Sequence, residues 1–262
     1  MINIIIQKIK EHFKGVVYYA IGLIAYAVMI VGLFPSISSV KFDYLQSMPE
    51  NLIKFFGGDV LAMTTFNGFI SMEFLSLFFI LIIAFFIGSS AGSTIAGSIE
   101  KKTMDFHLSQ PISRTKIVLA ETITGLFYTA FLVFATSGSL YLFGKMFDVV
   151  ISNKGLIVFS IVATIFLWAI YGIAIFISSV LKSKIAVAGA TVSIVMAFYV
   201  FTAMTSIIEK LKDYDKFSIF YAYNPQELLG TAQISTHQVE ALLLILVTGL
   251  IASLIIFNKK DI

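Results

Sequence analysis

Residues able to do chemistry are few in this 262-residue chain, and they are poorly grouped. His12, His107 and His237 fall in separate segments with no pair at ligand spacing, so the sequence predicts no metal centre. There is no cysteine, which removes disulfides and thiolate chemistry. Glu73, Glu121 and Glu240 fall near the ends of apolar runs. There they read as interfacial residues rather than the buried catalytic acids of an intramembrane protease. The stretch GSTIAGS, from Gly92 to Ser98, has the glycine spacing of a phosphate-binding loop. Such a loop needs a lysine after its second glycine and a strand before its first; here the position is Ser98 and the preceding run is helical in character. The small residues read better as packing. Gly88, Gly92 and Ala96 recur every four positions, as do Ser89, Ser93 and Gly97, which lets helix backbones approach closely in lipid. The chain is expected to bind no cofactor and not to be an enzyme.

The surrounding elements explain this poverty. The chain is 58% hydrophobic and 13% charged, with a mean hydropathy of +0.95. Soluble domains are about 25% charged, so this composition belongs in a bilayer. Six runs have the roughly 20 apolar residues that cross a membrane: about 15–34, 72–96, 117–143, 155–181, 185–208 and 239–257. Backbone polar groups in hydrocarbon must be paired within the segment, so each run is predicted helical. The expected fold class is an all-α membrane protein, one transmembrane domain over 1–262, with no internal repeat.

Charge sets the orientation. With the N-terminus inside, eleven of the eighteen Lys and Arg fall on inner segments, among them Lys8, Lys101, Arg114, Lys182 and Lys260. Most acids fall outside. Both termini are therefore expected in the cytoplasm. Before the first run, Ile2, Ile5, Ile6, Ile9 and Phe13 recur at helical spacing opposite Lys8, Lys10, Glu11 and Lys14. This reads as an amphipathic interface helix, with a frayed polar start as the alternative. Outside, Pro49 can open an interfacial helix that ends at Gly57-Gly58. Before the last run, "FSIFYAYNPQELLGTA" reads either as a re-entrant hairpin broken at Asn224-Pro225 or as a surface loop.

The inner segment SIEKKTMDFHLSQPISRTKIVLAE, Ser98 to Glu121, is the densest in charge. Three helical turns are predicted over 98–109, with Ser98 and Glu100 at the start and Pro111 as the stop. Ser113 and Arg114 then open the third span. A simple positive-inside loop would account for Lys101, Lys102, Arg114 and Lys116. It does not account for Met104, Phe106 and Leu108 being exposed to the cytosol, which suggests docking of a soluble partner. The spans themselves offer Ser, Thr, Tyr, Phe, Met and Gly rather than charge, which argues against an ion-driven carrier.

This segment resembles the cytoplasmic signature of the type-two membrane subunits, or permeases, of ABC transporters. The resemblance rests on an acidic-basic helix with Glu100, followed by Leu108, Pro111, Ser113 and Arg114 in a Leu-x-x-Pro-x-Ser-Arg pattern. The closing FNKKDI and YNPQELL before the last span agree with it. It implies six spans, an N-terminal surface helix, a coupling helix between spans two and three, and short re-entrant helices before span six. It implies two membrane subunits side by side, the same chain twice or a sister permease, each resting on a separate ABC ATPase that binds ATP and Mg. The implied coupling residues are Glu100, Lys101, Met104, Phe106, His107, Leu108, Pro111, Ser113 and Arg114; His107 and Gln110 depart from the pattern. The leading reading is thus an exporter of an amphipathic or hydrophobic cargo (a peptide, drug or lipid-like molecule). The alternative is a non-transporting membrane component of a sensing or regulatory complex. No nucleic-acid partner is expected. Seventeen Lys against one Arg suggests a bacterial source.

Overall fold

The computed structural model describes residues 2–38, 49, 65–100, 113–149 and 151–260. Its described residues hold helices and no strands, and six helical segments are long and apolar enough to cross a membrane. Span one is α1, Ile2–Ser38. Span two is composite: α2, Phe66–Ile70, runs through a π-helical turn, Ser71–Leu75, into α3, Phe78–Thr94. A short α4, Ala96–Glu100, continues it. Span three is α5, Arg114–Met146, span four α6, Asn153–Val180, and span five α7, Lys184–Ile207. Two 3₁₀ segments, Glu209–Phe217 and Ile219–Ala222, lead to α8, Pro225–Thr231, and to span six, α9, Thr236–Lys259.

Span four is the hub: spans two, three, five and six all pack on it, and most of its residues are buried. Phe159, Phe166, Leu167, Ile170 and Tyr171 are fully buried in it. Span six packs on span four by backbone approach. A Cβ added at Gly249 would lie 2.2 Å from the Gly172 carbonyl oxygen, and one at Gly172 would lie 2.6 Å from the Leu246 Cα. Span five packs on span two in the same manner: a Cβ at Gly88 would lie 2.8 Å from the Ala188 Cα, and one at Gly92 3.0 Å from the Lys184 carbonyl. Gly97 lies near its own helix and the Lys184 side chain.

Most polar residues inside the bundle are satisfied locally, although the Thr122 and Ser253 hydroxyls and the Asn67 Oδ1 are buried without a hydrogen-bond partner among the described residues. Thr124, Thr129 and Thr136 donate to the carbonyls four residues earlier, a pairing open to hydroxyls within a helix. Ser160 donates to Ser137 across spans four and three at 2.8 Å, and Trp168 Nε1 donates to the Leu126 carbonyl at 3.0 Å. The π turn in span two has its own lock: the Ser76 amide donates to the Ser71 carbonyl at 2.8 Å, and so does the Ser76 hydroxyl at 2.6 Å.

Three local expectations take a different form. The amphipathic start and span one are one unbroken helix of 37 residues, about 55 Å long, against about 30 Å of hydrocarbon. Its apolar stripe divides: Ile9 packs against the core, while Ile2, Ile6 and Phe13 are exposed. Ser98 lies within α4 and donates back to the Ser93 and Thr94 carbonyls, so it extends span two rather than opening a new helix. Glu121, near the start of span three as expected, is buried among neighbouring helices rather than exposed. The predicted outer helix after Pro49 and the core of the charged insert, Lys101 to Pro111, lie outside the described residues.

Candidate functional site

One end of the bundle gathers the ends of several elements and most of the basic residues. Glu100 and Arg114, the flanks of the charged insert, are both held there. The Glu100 carboxylate accepts from the Lys184 amide at 2.8 Å and from the Ser183 hydroxyl at 3.2 Å. It thereby serves the otherwise unpaired donors at the start of span five, where the helix dipole also favours a negative charge. Ser113 caps span three, its hydroxyl accepting from the Lys116 amide. Arg114 reaches across to the end of span six. Its Nη1 donates to the Lys260 carbonyl at 2.9 Å and to that of Phe257 at 3.3 Å, while its guanidinium lies 5.5 Å above the Phe257 ring. A planar guanidinium can do all three at once, and an ammonium cannot. Lys260 Nζ in turn donates to the Ser179 carbonyl near the end of span four, at 2.9 Å. Burial, and after it the neighbouring Lys182, lowers the Lys260 ammonium below the usual lysine range.

The same end carries a buried ionic group that sequence reading missed. Glu121 of span three is 7% exposed. Its two oxygens face Lys8 Nζ at 2.8 Å and His12 Nε2 at 3.4 Å, both from the first turns of α1. Lys8 is shared with Glu11 at 3.0 Å. The Tyr128 hydroxyl of span three donates to the Ile9 carbonyl, a second tie between the same two helices. The spacing of Lys8 and His12, one helical turn, was a signal that they share a face. Nothing in the sequence showed that the face met Glu121.

The opposite end is closed by the segment before span six. Ile219, Phe220, Tyr223, Pro225, Leu228 and Leu229 are buried. Tyr223 stacks on Phe166 at 4.5 Å and donates its hydroxyl to the Leu75 carbonyl in the π turn, at 2.9 Å. Asn224 caps α8 through its side chain, with Pro225 at the first position. Between this segment and the ends of spans five and six lies a cavity of about 820 Å³ with Tyr199, Thr202, Phe220 and Tyr223 in its wall and Glu209, Lys212, Asp215 and Glu227 around it.

The candidate residues therefore separate into three places. Glu100, Ser113 and Arg114 lie at the basic end; Gly88 and Gly92 lie at the contact of spans two and five; Asn224 and Pro225 lie at the far end beside the cavity. Lys101, Met104, Phe106, His107, Leu108 and Pro111 lie outside the described residues. Among the described residues no group of three or more His, Asp or Glu converges as a metal site.

Comparison with curated proteins finds no match. Residues 9–262 match the family described as ABC-2 family transporter protein. With six candidate spans and a family match over nearly its whole length, the chain belongs to the ABC-2 transporter permease family, as a multi-pass membrane component of transport that is not itself catalytic.

Proposed function

We propose that this chain is the membrane half of an ATP-driven exporter that moves an amphipathic or hydrophobic cargo outward. A separate ABC ATPase would bind ATP and Mg and dock at the basic end, which faces the cytoplasm under the positive-inside bias. Lys101, Met104, Phe106, His107, Leu108 and Pro111 supply the docking surface. Two membrane subunits, identical or sister, complete the pathway.

The observation that carries this reading is the double clamp on the insert. Its leading flank, Glu100, grips the start of span five, and its trailing flank, Arg114, grips the end of span six. A push on the segment between them is passed to two spans at once, through the Glu100 and Arg114 side chains bonded to backbone groups of those spans. Nucleotide on the partner then biases a two-state change in the bundle.

The test is to purify the tagged chain in mild detergent and identify what co-elutes, then to measure ATP-dependent efflux from vesicles. An ATPase in equal amount, and efflux lost in Phe106→Asp with assembly otherwise normal, are the expected results. Phe106→Asp is cleaner than Arg114→Glu, because Arg114 also holds the end of span six. A chain that elutes alone even after cross-linking, or normal efflux by Phe106→Asp, would overturn the reading.

A further inference from the structure

The cavity at the far end has a chemistry that the family match does not assign. Its volume, about 820 Å³, falls in the range of roughly 300–1,000 Å³ typical of small-molecule sites. The wall is aromatic: Tyr199, Phe220 and Tyr223 are buried in it, and Tyr221 stands at the mouth, 49% exposed. Its charges are unbalanced, with Glu209, Asp215 and Glu227 against Lys212 alone. None of these four is in an ion pair among the described residues. The carboxylates are dispersed around the opening rather than converging, so they do not form a metal site. A concave surface on which one sign of charge predominates, here three carboxylates to one ammonium, focuses its field inward. A tyrosine face attracts cations through the ring quadrupole, and Tyr221 is the exposed tyrosine of the lining; the Tyr223 ring is stacked on Phe166 and supplies apolar wall.

From this geometry we infer that the cavity is a binding site for amphipathic organic cations, with the aromatic wall taking the apolar body and the three carboxylates the positive charge. This deepens the transport reading, on which it rests only for the cavity's being a cargo site at the outer end of the pathway. Binding itself requires no ATPase. Size alone would admit neutral and anionic molecules as well; the charge imbalance sets the preference.

The test uses two ions of nearly one shape and opposite charge, tetraphenylphosphonium and tetraphenylborate. Each is titrated onto the full chain in uncharged detergent micelles, with empty micelles subtracted. Tetraphenylphosphonium is expected to bind saturably and at least about 10-fold more tightly than tetraphenylborate, since three nearby charges reverse sign of effect between them. Glu209→Gln/Asp215→Asn/Glu227→Gln together are expected to erase that preference. Tyr221→Ala, a single change at an exposed position, is expected to weaken tetraphenylphosphonium about 3-fold; it serves if the triple variant does not fold. Equal binding of the two ions overturns the inference. So does tetraphenylphosphonium affinity unchanged in a folded triple variant, or in Tyr221→Ala where the triple does not fold. The two readings fail separately. Binding of the cation by a chain that assembles with no ATPase keeps the site and removes the exporter; ATP-dependent efflux by a chain that ignores the cation does the reverse.

Discussion

The Lys8–Glu121 pair lends itself to a quantitative test. Lys8 Nζ lies 2.8 Å from Glu121, whose side chain is only 9% exposed. Lys8→Met removes the main cation and leaves a buried carboxylate with His12 at 3.4 Å. Removing one partner of a buried pair costs about 3–5 kcal/mol, because the other charge stays buried. His12 still serves the second oxygen, which puts the loss near the low end, about 3 kcal/mol. For a chain of this size 1 kcal/mol corresponds to about 2–4 °C, so Lys8→Met lowers Tm by about 6–12 °C. Glu121→Leu alone costs less, since Lys8 keeps Glu11 and can turn toward water. Lys8→Met/Glu121→Leu removes both charges together, and such replacements are often neutral or better. The double variant is therefore expected to recover most of the loss. Trp168 is the single tryptophan and bridges spans three and four, so its fluorescence in a thermal scan reports the unfolding. A Lys8→Met variant within about 2 °C of wild type, or a double variant no better than the single, would refute the buried-pair argument.

Other expectations follow from the same geometry. Gly249→Ala forces a methyl group against the Gly172 carbonyl at 2.2 Å and should cost at least about 1–3 kcal/mol; Gly189→Ala, with open space at its Cβ, should instead gain about 0.5–1 kcal/mol by relieving helical glycine. Thermal scans that rank the two alike would count against the glycine-contact reading. Glu100→Gln removes the charge from the cap on span five and should cost only about 0.5–1 kcal/mol. Under the proposed coupling it should nonetheless reduce cargo-stimulated ATP hydrolysis, and unchanged stimulation would separate Glu100 from coupling. Arg114→Lys cannot span both carbonyls, so the end of span six should be trimmed faster by carboxypeptidase; an unchanged rate would show that the clamp does not hold that end.

Much of the frame was legible because a bilayer imposes it. A run of apolar residues long enough to cross must be helical, and no partner is needed to make that so. All six expected spans appear as helices, with ends moved by a few residues in most cases. Span two begins earlier, at Phe66, because a π turn lets the chain pass through Ser71–Leu75 without breaking. The cap at Ser113 was readable, since capping depends on neighbours three residues away; Asn224-Pro225 was legible as a break in the chain, and its capping of α8 came from the structure. The first helix was harder: the amphipathic pattern of its first turns is equally compatible with a separate surface helix and with an extension of span one. Only docking onto span three, through Lys8, His12 and Tyr128, chose between them.

What the sequence determined by itself was the solvent this chain lives in, the number and rough extent of its spans, and the side on which positive charge collects. Those follow from hydropathy and local helix chemistry, which act over a few turns. Tertiary structure decided everything that joins distant positions. It made Glu121, read from the sequence only as an acid near a span end, the buried partner of Lys8, more than a hundred residues away. It set Glu100 on the start of span five and Arg114 on the end of span six. It also chose which glycines face a backbone, with Gly249 against Gly172 and Gly88 against Ala188, while Gly189 faces open space. Helical periodicity tells which residues share a face; which neighbour that face meets is set by packing the whole bundle, where polar groups must be paired and close-packed at once.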